Sequence, residues 1–209
     1  MTDVSVNNIV AAGYEYEQLD PEVFLIKNFL TEEECQALYD FAINTTEEGW
    51  VGAYLEGIKN RVEAREGTRD LEATKTEVTY DWQDKVVRVD GNLVNHLPDR
   101  LKLFFDKNAI LYYRSFGVIQ RQYEGAELRG HYDQYVDSKM KYAAVVYLND
   151  DYVDGQFYFT YKGIQVTPPR RSILIFPATE EYHHGVKTVG KGPVRFALPS
   201  FVWNDPTAF

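Results

Sequence analysis

Four residues in the second half of the chain could do chemistry together: His131, Asp133, His184 and Arg195. Two imidazoles and one carboxylate are the ligand set of a mononuclear non-haem iron centre, which leaves positions open for substrate and oxygen. The spacing of the first pair is informative. Residues two apart in a strand point to the same face, so His131 and Asp133 can reach one metal while Tyr132 points away. The third ligand must arrive from another strand. His183 and His184 both offer themselves, and in a strand they would face opposite ways.

The frame around these residues carries a resemblance. The run from Tyr123 through Gly125 and Leu128 to His131-Tyr132-Asp133 resembles the Tyr-x-x-Gly-x-x-Leu-x-x-His-x-Asp segment of prolyl-4-hydroxylase-type 2-oxoglutarate/Fe(II) dioxygenases. Tyr147-Leu148-Asn149 resembles that family's Tyr-Leu-Asn strand. Asp154-Gly155-Gln156-Phe157-Tyr158-Phe159 is similar to its Gly-Gly-Glu-Thr-x-Phe turn, and Leu174-Ile175-Phe176-Pro177 to its Leu-x-Phe-Pro strand. His184-Gly185-Val186 with Val189 and Arg195 resembles its His-x-Val-x-x-Val and following basic residue. The likeness spans residues 117–203 in order.

The resemblance implies a double-stranded β-helix, or jelly roll, with Fe(II), 2-oxoglutarate and O2, and ascorbate as an auxiliary reductant. It selects His184 over His183 for the metal. It makes Arg195 the anchor for the distal carboxylate of 2-oxoglutarate, with Tyr123 sharing it. A guanidinium suits that task through two parallel hydrogen bonds, and Val194, Phe196 and Ala197 surround Arg195 with apolar sequence where an unpaired charge would be costly. The chain also departs from the pattern. Tyr123 sits one residue closer to Gly125, the stretch from His184 to Arg195 is longer, and Gln156 and Phe157 stand where glutamate and threonine are common.

The elements that must position these groups follow from periodicity. Short apolar runs at 110–114, 118–123, 142–148, 157–161, 164–166, 172–176, 184–189 and 194–203 are separated mostly by Gly, Pro, Asn and Asp, as in an antiparallel barrel or jelly roll. Sixteen Tyr and twelve Phe suit pleated surfaces. Upstream, 23–26 and 86–89 read as strands. Thr31 and Glu34 form a capping box for a helix over 31–44 that buries Cys35, Leu38, Phe41 and Ala42. Pro98 opens a second helix with Leu101, Phe104 and Phe105 on its buried side. Residues 1–20 read as a polar lead-in. The charged stretch 49–84, with Arg61, Arg65 and Arg69, reads as a solvated surface or a lid. The expectation is a mainly β chain with supporting helices. It forms one domain over 1–209, with 1–109 as support and 110–209 as the catalytic core.

A net charge of −10 argues against general affinity for nucleic acid or anionic membranes. One cysteine excludes an internal disulfide and fits a reducing compartment, so a cytoplasmic location is expected. The expected reaction is hydroxylation of peptidyl proline coupled to decarboxylation of 2-oxoglutarate. On the last strand, alternation places Phe201 and Trp203 on the face of Arg195, where a proline ring could pack. A free amino acid or other small molecule is the alternative substrate. A metalloenzyme without 2-oxoglutarate would need no Arg195, and a non-catalytic jelly roll would need no triad.

Overall fold

A computed structural model describes residues 3–52, 85–113 and 116–208. The lid expected at 49–84 lies, from residue 53 onward, outside the described residues. In chain order the strands are β1 (Tyr16–Asp20), β2 (Val23–Ile26), β3 (Val51–Gly52), β4 (Lys85–Arg88), β5 (Tyr112–Tyr113), β6 (Val118–Gln122), β7 (Leu128–His131), β8 (Met140–Tyr147), β9 (Phe157–Phe159), β10 (Ile164–Val166), β11 (Ile173–Pro177), β12 (His184–Val186) and β13 (Arg195–Trp203). The helices are α1 (Val6–Ala11), α2 (Glu32–Asn44), α3 (Gly91–Val94) and α4 (Leu97–Lys102).

The strands form two antiparallel sheets. The larger runs β1-β2-β11-β8-β13-β6-β4-β3, with β5 pairing β13, and the smaller runs β10-β9-β12-β7. Strand alternation explains why the central runs are apolar at every position. In β2 and β11, Val23, Leu25, Leu174 and Phe176 pack with Phe157, Phe159 and Val186 of the smaller sheet. Phe24, Ile26, Ile173 and Ile175 pack on the other side with Phe29, Leu38, Leu101 and Phe104. Both faces of the large sheet are thus buried, one by the second sheet and one by the N-terminal helices. This is the jelly-roll architecture. Among the described residues no helix is long and apolar enough to cross a membrane.

The polar start of the chain does not behave as a lead-in. Ser5 caps α1 by accepting from the Asn8 amide, and β1 pairs with β2 at the edge of the large sheet. None of its five residues is buried and its sequence is Tyr-Glu-Gln-Leu-Asp, so no hydrophobic run announces it. β7 is also missing from the apolar runs, because its sequence is Leu-Arg-Gly-His.

The α2 capping box forms as its residues predict. The Glu34 amide donates to Thr31 Oγ1 at 3.2 Å and the Thr31 amide donates to Glu34 Oε2 at 2.8 Å. The same carboxylate accepts two bonds from Arg100 of α4, at 2.6 and 2.7 Å, and lies 2.8 Å from His96. Arg100 also donates to the Phe29 carbonyl. Glu34 therefore joins two helices and the strand-to-helix turn. The Arg100 bonds hold its carboxyl down at about 2, against an ordinary 4.5. A depressed carboxyl stabilises the fold above its unfolded value and loses that contribution as pH falls through the folded one. Glu34→Gln should lower stability at pH 7 by about 1–2 kcal/mol, and the difference from wild type should shrink between pH 4.5 and 2. Denaturant melts across that range check it; a gap independent of pH would assign the loss to packing.

Candidate metal centre

β12 and β7 pair so that His184 lies directly across from His131, with ring centroids 4.5 Å apart. Tyr132 continues in extended conformation (φ −131°, ψ 144°) beyond the end of β7, and a short 3-10 turn begins at Asp133. The two-residue alternation therefore survives past the strand and returns Asp133 to the face of His131. Ligand atoms of His131, Asp133 and His184 all lie within 4.8 Å of one another. Asp133 Oδ1 is 3.7 Å from His131 Nε2, and Oδ2 is 3.8 Å from His184 Nε2.

Local bonds orient both imidazoles. His131 Nδ1 faces the Arg129 carbonyl and His184 Nδ1 faces the Tyr182 carbonyl, each at 2.9 Å. A carbonyl can only accept, so each Nδ1 carries the proton and Nε2 bears the lone pair, turned to Asp133. Phe157 stacks on His184 at 5.2 Å, and Phe176 meets it edge-on at 4.6 Å. Burial, helped by the neighbouring His131, pushes His184 down to about 3, so it is neutral at ordinary pH. Burial pushes Asp133 up to about 7, and its Oδ2 has no hydrogen-bond partner among the described residues. Two aligned lone pairs and a buried carboxylate oxygen without a donor fit a divalent cation.

His183 points the other way. Its Nδ1 lies 2.8 Å from Thr160 Oγ1, and its ring leans on Tyr161 at 5.4 Å. It covers Gly130 so closely that a Cβ there would sit 2.3 Å from His183 Cε1. Consecutive histidines thus serve opposite faces of the small sheet.

A cavity of about 160 Å³ reaches from the triad to Arg195, lined also by Gln120, Phe157, Val186, Pro199 and Phe201. Arg195 is 1% exposed. Its Nη1 donates to Gln122 Oε1 at 2.5 Å, and Gln122 is its register partner across β13 and β6. Tyr147 and Tyr152 present their rings 5.3 and 5.6 Å from the guanidinium. Asn149 fixes this end of β13. Its side chain donates to the Val194 carbonyl at 2.8 Å and accepts from the Phe196 amide at 2.9 Å, bracketing Arg195 on both sides.

Two expected site residues are not brought in. Tyr123 is 36% exposed and stacks its ring on Arg121 at 4.7 Å, outside the cavity. Alternation along β6 gives the inward place to Gln122, which stands three residues before Gly125. Trp203 is 1% exposed and belongs to the core with Met140 and Ala178, its Nε1 donating to Asp137 at 3.1 Å. Trp203 still meets the Phe201 ring at 5.9 Å, but it lies one step beyond the cavity that Phe201 lines. Gln122, Tyr147, Tyr152 and Asn149 were given no site role from sequence, although Tyr147 and Asn149 stand in the Tyr-Leu-Asn segment that carries the resemblance. The one-residue displacement of Tyr123 from its pattern was the available signal for Gln122.

Comparison with known proteins agrees with this geometry. Residues 118–203 match the family model described as the 2OG-Fe(II) oxygenase superfamily. No curated protein matches the chain in sequence. A viral collagen prolyl hydroxylase from Paramecium Bursaria Chlorella virus-1, in complex with 2OG, is similar in structure with TM-score 0.56 at 15% identity, covering 94% of this chain and 99% of that one. A Pseudomonas putida prolyl-4-hydroxylase gives 0.52 at 18%, covering 96% and 97%. A Trichoplax adhaerens prolyl hydroxylase, in complex with a hypoxia inducible factor peptide fragment, gives 0.57 at 16%, covering 95% and 87%. At these identities the likeness is one of fold.

Titration with Mn(II) should separate the two histidines. His184→Ala should weaken Mn(II) binding at least tenfold, while His183→Ala should leave it within about twofold. Loss of binding in His183→Ala alone would move the third ligand to the other face.

Proposed function

We propose, from a segment 118–203 that belongs to the 2OG-Fe(II) oxygenase superfamily, that this enzyme hydroxylates prolyl residues of a peptide or protein. The superfamily uses Fe(II), 2-oxoglutarate and O2. His131, Asp133 and His184 would hold the iron through two Nε2 atoms and one carboxylate. Bound there, the iron with its cosubstrate supplies the oxidising power for C–H hydroxylation, with succinate and CO2 as coproducts. The observation that carries this reading is a single cavity with the triad at one end and a buried guanidinium at the other.

The protein's own part is to bind, orient and dry. Arg195 would grip the distal carboxylate of 2-oxoglutarate, which directs the 2-oxo acid end to the triad. Phe157, Phe176 and Val186 line the cavity with apolar surface that water does not solvate, so charged contacts inside it are stronger than in bulk solvent. Phe201 and Pro199 line the same cavity and offer an apolar wall to a proline ring. The similar structures named prolyl hydroxylases, one holding a peptide, support the choice of substrate class.

Arg195→Ala should raise the 2-oxoglutarate Michaelis constant more than tenfold. A charge-assisted bond in a buried pocket is worth about 2–5 kcal/mol. Steady-state kinetics check this, and an unchanged constant would give the anchor to another group. With Fe(II), 2-oxoglutarate and ascorbate, proline-containing peptides should gain one oxygen on proline by mass spectrometry. Oxygen gained by a free amino acid, with peptides inert, would overturn the substrate class and keep the dioxygenase.

A further inference from the structure

We infer that Tyr182 is a positioning residue of the metal centre: its carbonyl aims His184, and its phenol fixes that carbonyl to the turn between β1 and β2. The inference rests on the metal centre described above. His184 Nδ1 donates to the Tyr182 carbonyl at 2.9 Å, and that bond turns Nε2 toward Asp133. A carbonyl can aim an imidazole only as well as its own peptide is held. Tyr182 ends a 3-10 turn, Glu180–Tyr182, whose bonds run from the Tyr182 and His183 amides to the Thr179 and Glu180 carbonyls, each at 3.0 Å. A single 3-10 turn has poor hydrogen-bond geometry and little strength of its own. Tertiary contacts must therefore hold this peptide, and the Tyr182 side chain makes them.

Three separate parts of the chain meet at that side chain. Tyr182 is 3% exposed, and its ring meets Phe159 edge-on at 6.2 Å. Phe159 is itself the register partner of His184 across β9 and β12. The Tyr182 hydroxyl donates to Asp20 Oδ1 at 3.0 Å and to Glu22 Oε2 at 3.2 Å, two acids that flank the β1–β2 turn. Lys162, between β9 and β10, lies 4.5 Å from the centre of the Tyr182 ring and 3.7 Å from Asp20, and it also pairs with Glu181. Its charge offsets the two acids, so they can sit together around one phenol. A hydrogen bond to a carboxylate is stronger than one between neutral groups. Asp20 and Glu22 lie outside the segment 118–203 that matches the family model. The edge hairpin of the large sheet thus reaches the third metal ligand through one side chain.

The test titrates Mn(II) into the metal-free protein by calorimetry and records the visible spectrum of the Co(II)-loaded protein. Tyr182→Phe removes one oxygen and keeps the ring. It should raise the Mn(II) Kd about fivefold, less than the roughly 10- to 100-fold cost of losing a ligand's direct partner, because it acts one bond further out. The Co(II) spectrum should change shape as His184 loses its fixed orientation. Asp20→Ala/Glu22→Ala should do the same. Adding Tyr182→Phe to that pair should cost nothing more, since the three side chains form one link. Glu34→Gln, which loosens α2 and α4 instead, should leave both the Kd and the spectrum as in wild type. An unchanged Kd and spectrum in Tyr182→Phe would overturn the inference, whatever its melting temperature. So would an equal loss in Glu34→Gln, or full additivity in the triple variant. Should Tyr182→Phe fail to fold, Asp20→Ala/Glu22→Ala decides through the Co(II) spectrum, whose shape the loss of two charges outside the ligand set would not alter. A wild type that binds no Mn(II) would overturn the metal centre, and the inference with it.

Discussion

The pairing of β12 with β7 is the contact on which the site depends. It sets His184 across from His131, and through the extended Tyr132 it also sets where Asp133 arrives. Side chains alternate along a strand, so a slip of β12 by one residue would send His183 inward in place of His184 and leave His131 without its partner ligand. Tight packing on the outer face resists such a slip. Gly130 lies beneath the His183 ring, and a Cβ on Gly185 would stand 2.4 Å from the Leu128 carbonyl. These glycines let the two strands approach as closely as the ligand geometry needs.

Burial then decides the electrostatics of the cavity. The apolar wall of Phe157, Phe176 and Val186 makes charge costly unless it is paired. That one condition raises Asp133, lowers His184 and leaves Arg195 in want of an anion. A carboxylate short of a cation sits at one end and a guanidinium short of an anion at the other. The cavity is therefore polarised along its length, and a ligand with a metal-binding head and a carboxylate tail matches it.

The N-terminal half works through the large sheet. β1–β4 extend that sheet on both sides of the β11-β8-β13-β6 centre, and the helices cover its outer face. Glu34 ties α2 to α4, and Cys35 beside it donates its thiol to the Leu148 carbonyl at 3.4 Å. Burial lifts that thiol to about 11, so it stays protonated and structural. Leu148 precedes Asn149, so the helical cover reaches by contact to the loop that fixes Arg195.

The sequence by itself determined the triad, Arg195, the jelly-roll class and the α2 capping box. The His131 and Asp133 pair, the jelly-roll class and the capping box depend on short-range rules: two-residue alternation, capping geometry and runs of apolar residues between turns. His184 over His183, and Arg195, came from the resemblance of the surrounding segments. The sequence left β1 unmarked and marked β7 only by its His-x-Asp end, since neither strand carries an apolar run and each is held by its neighbour's backbone. Only the tertiary structure decided between Tyr123 and Gln122, because the choice rests on which face of β6 meets β13. Only it removed Trp203 from the cavity, because Met140, Ala178 and Asp137, which enclose its ring, come from other parts of the chain. Only it gathered Tyr147 and Tyr152 around Arg195. Those residues lie more than forty positions from Arg195 in the chain; the pairing of β8 with β13 brings Tyr147 there, and the loop tied down by Asn149 brings Tyr152.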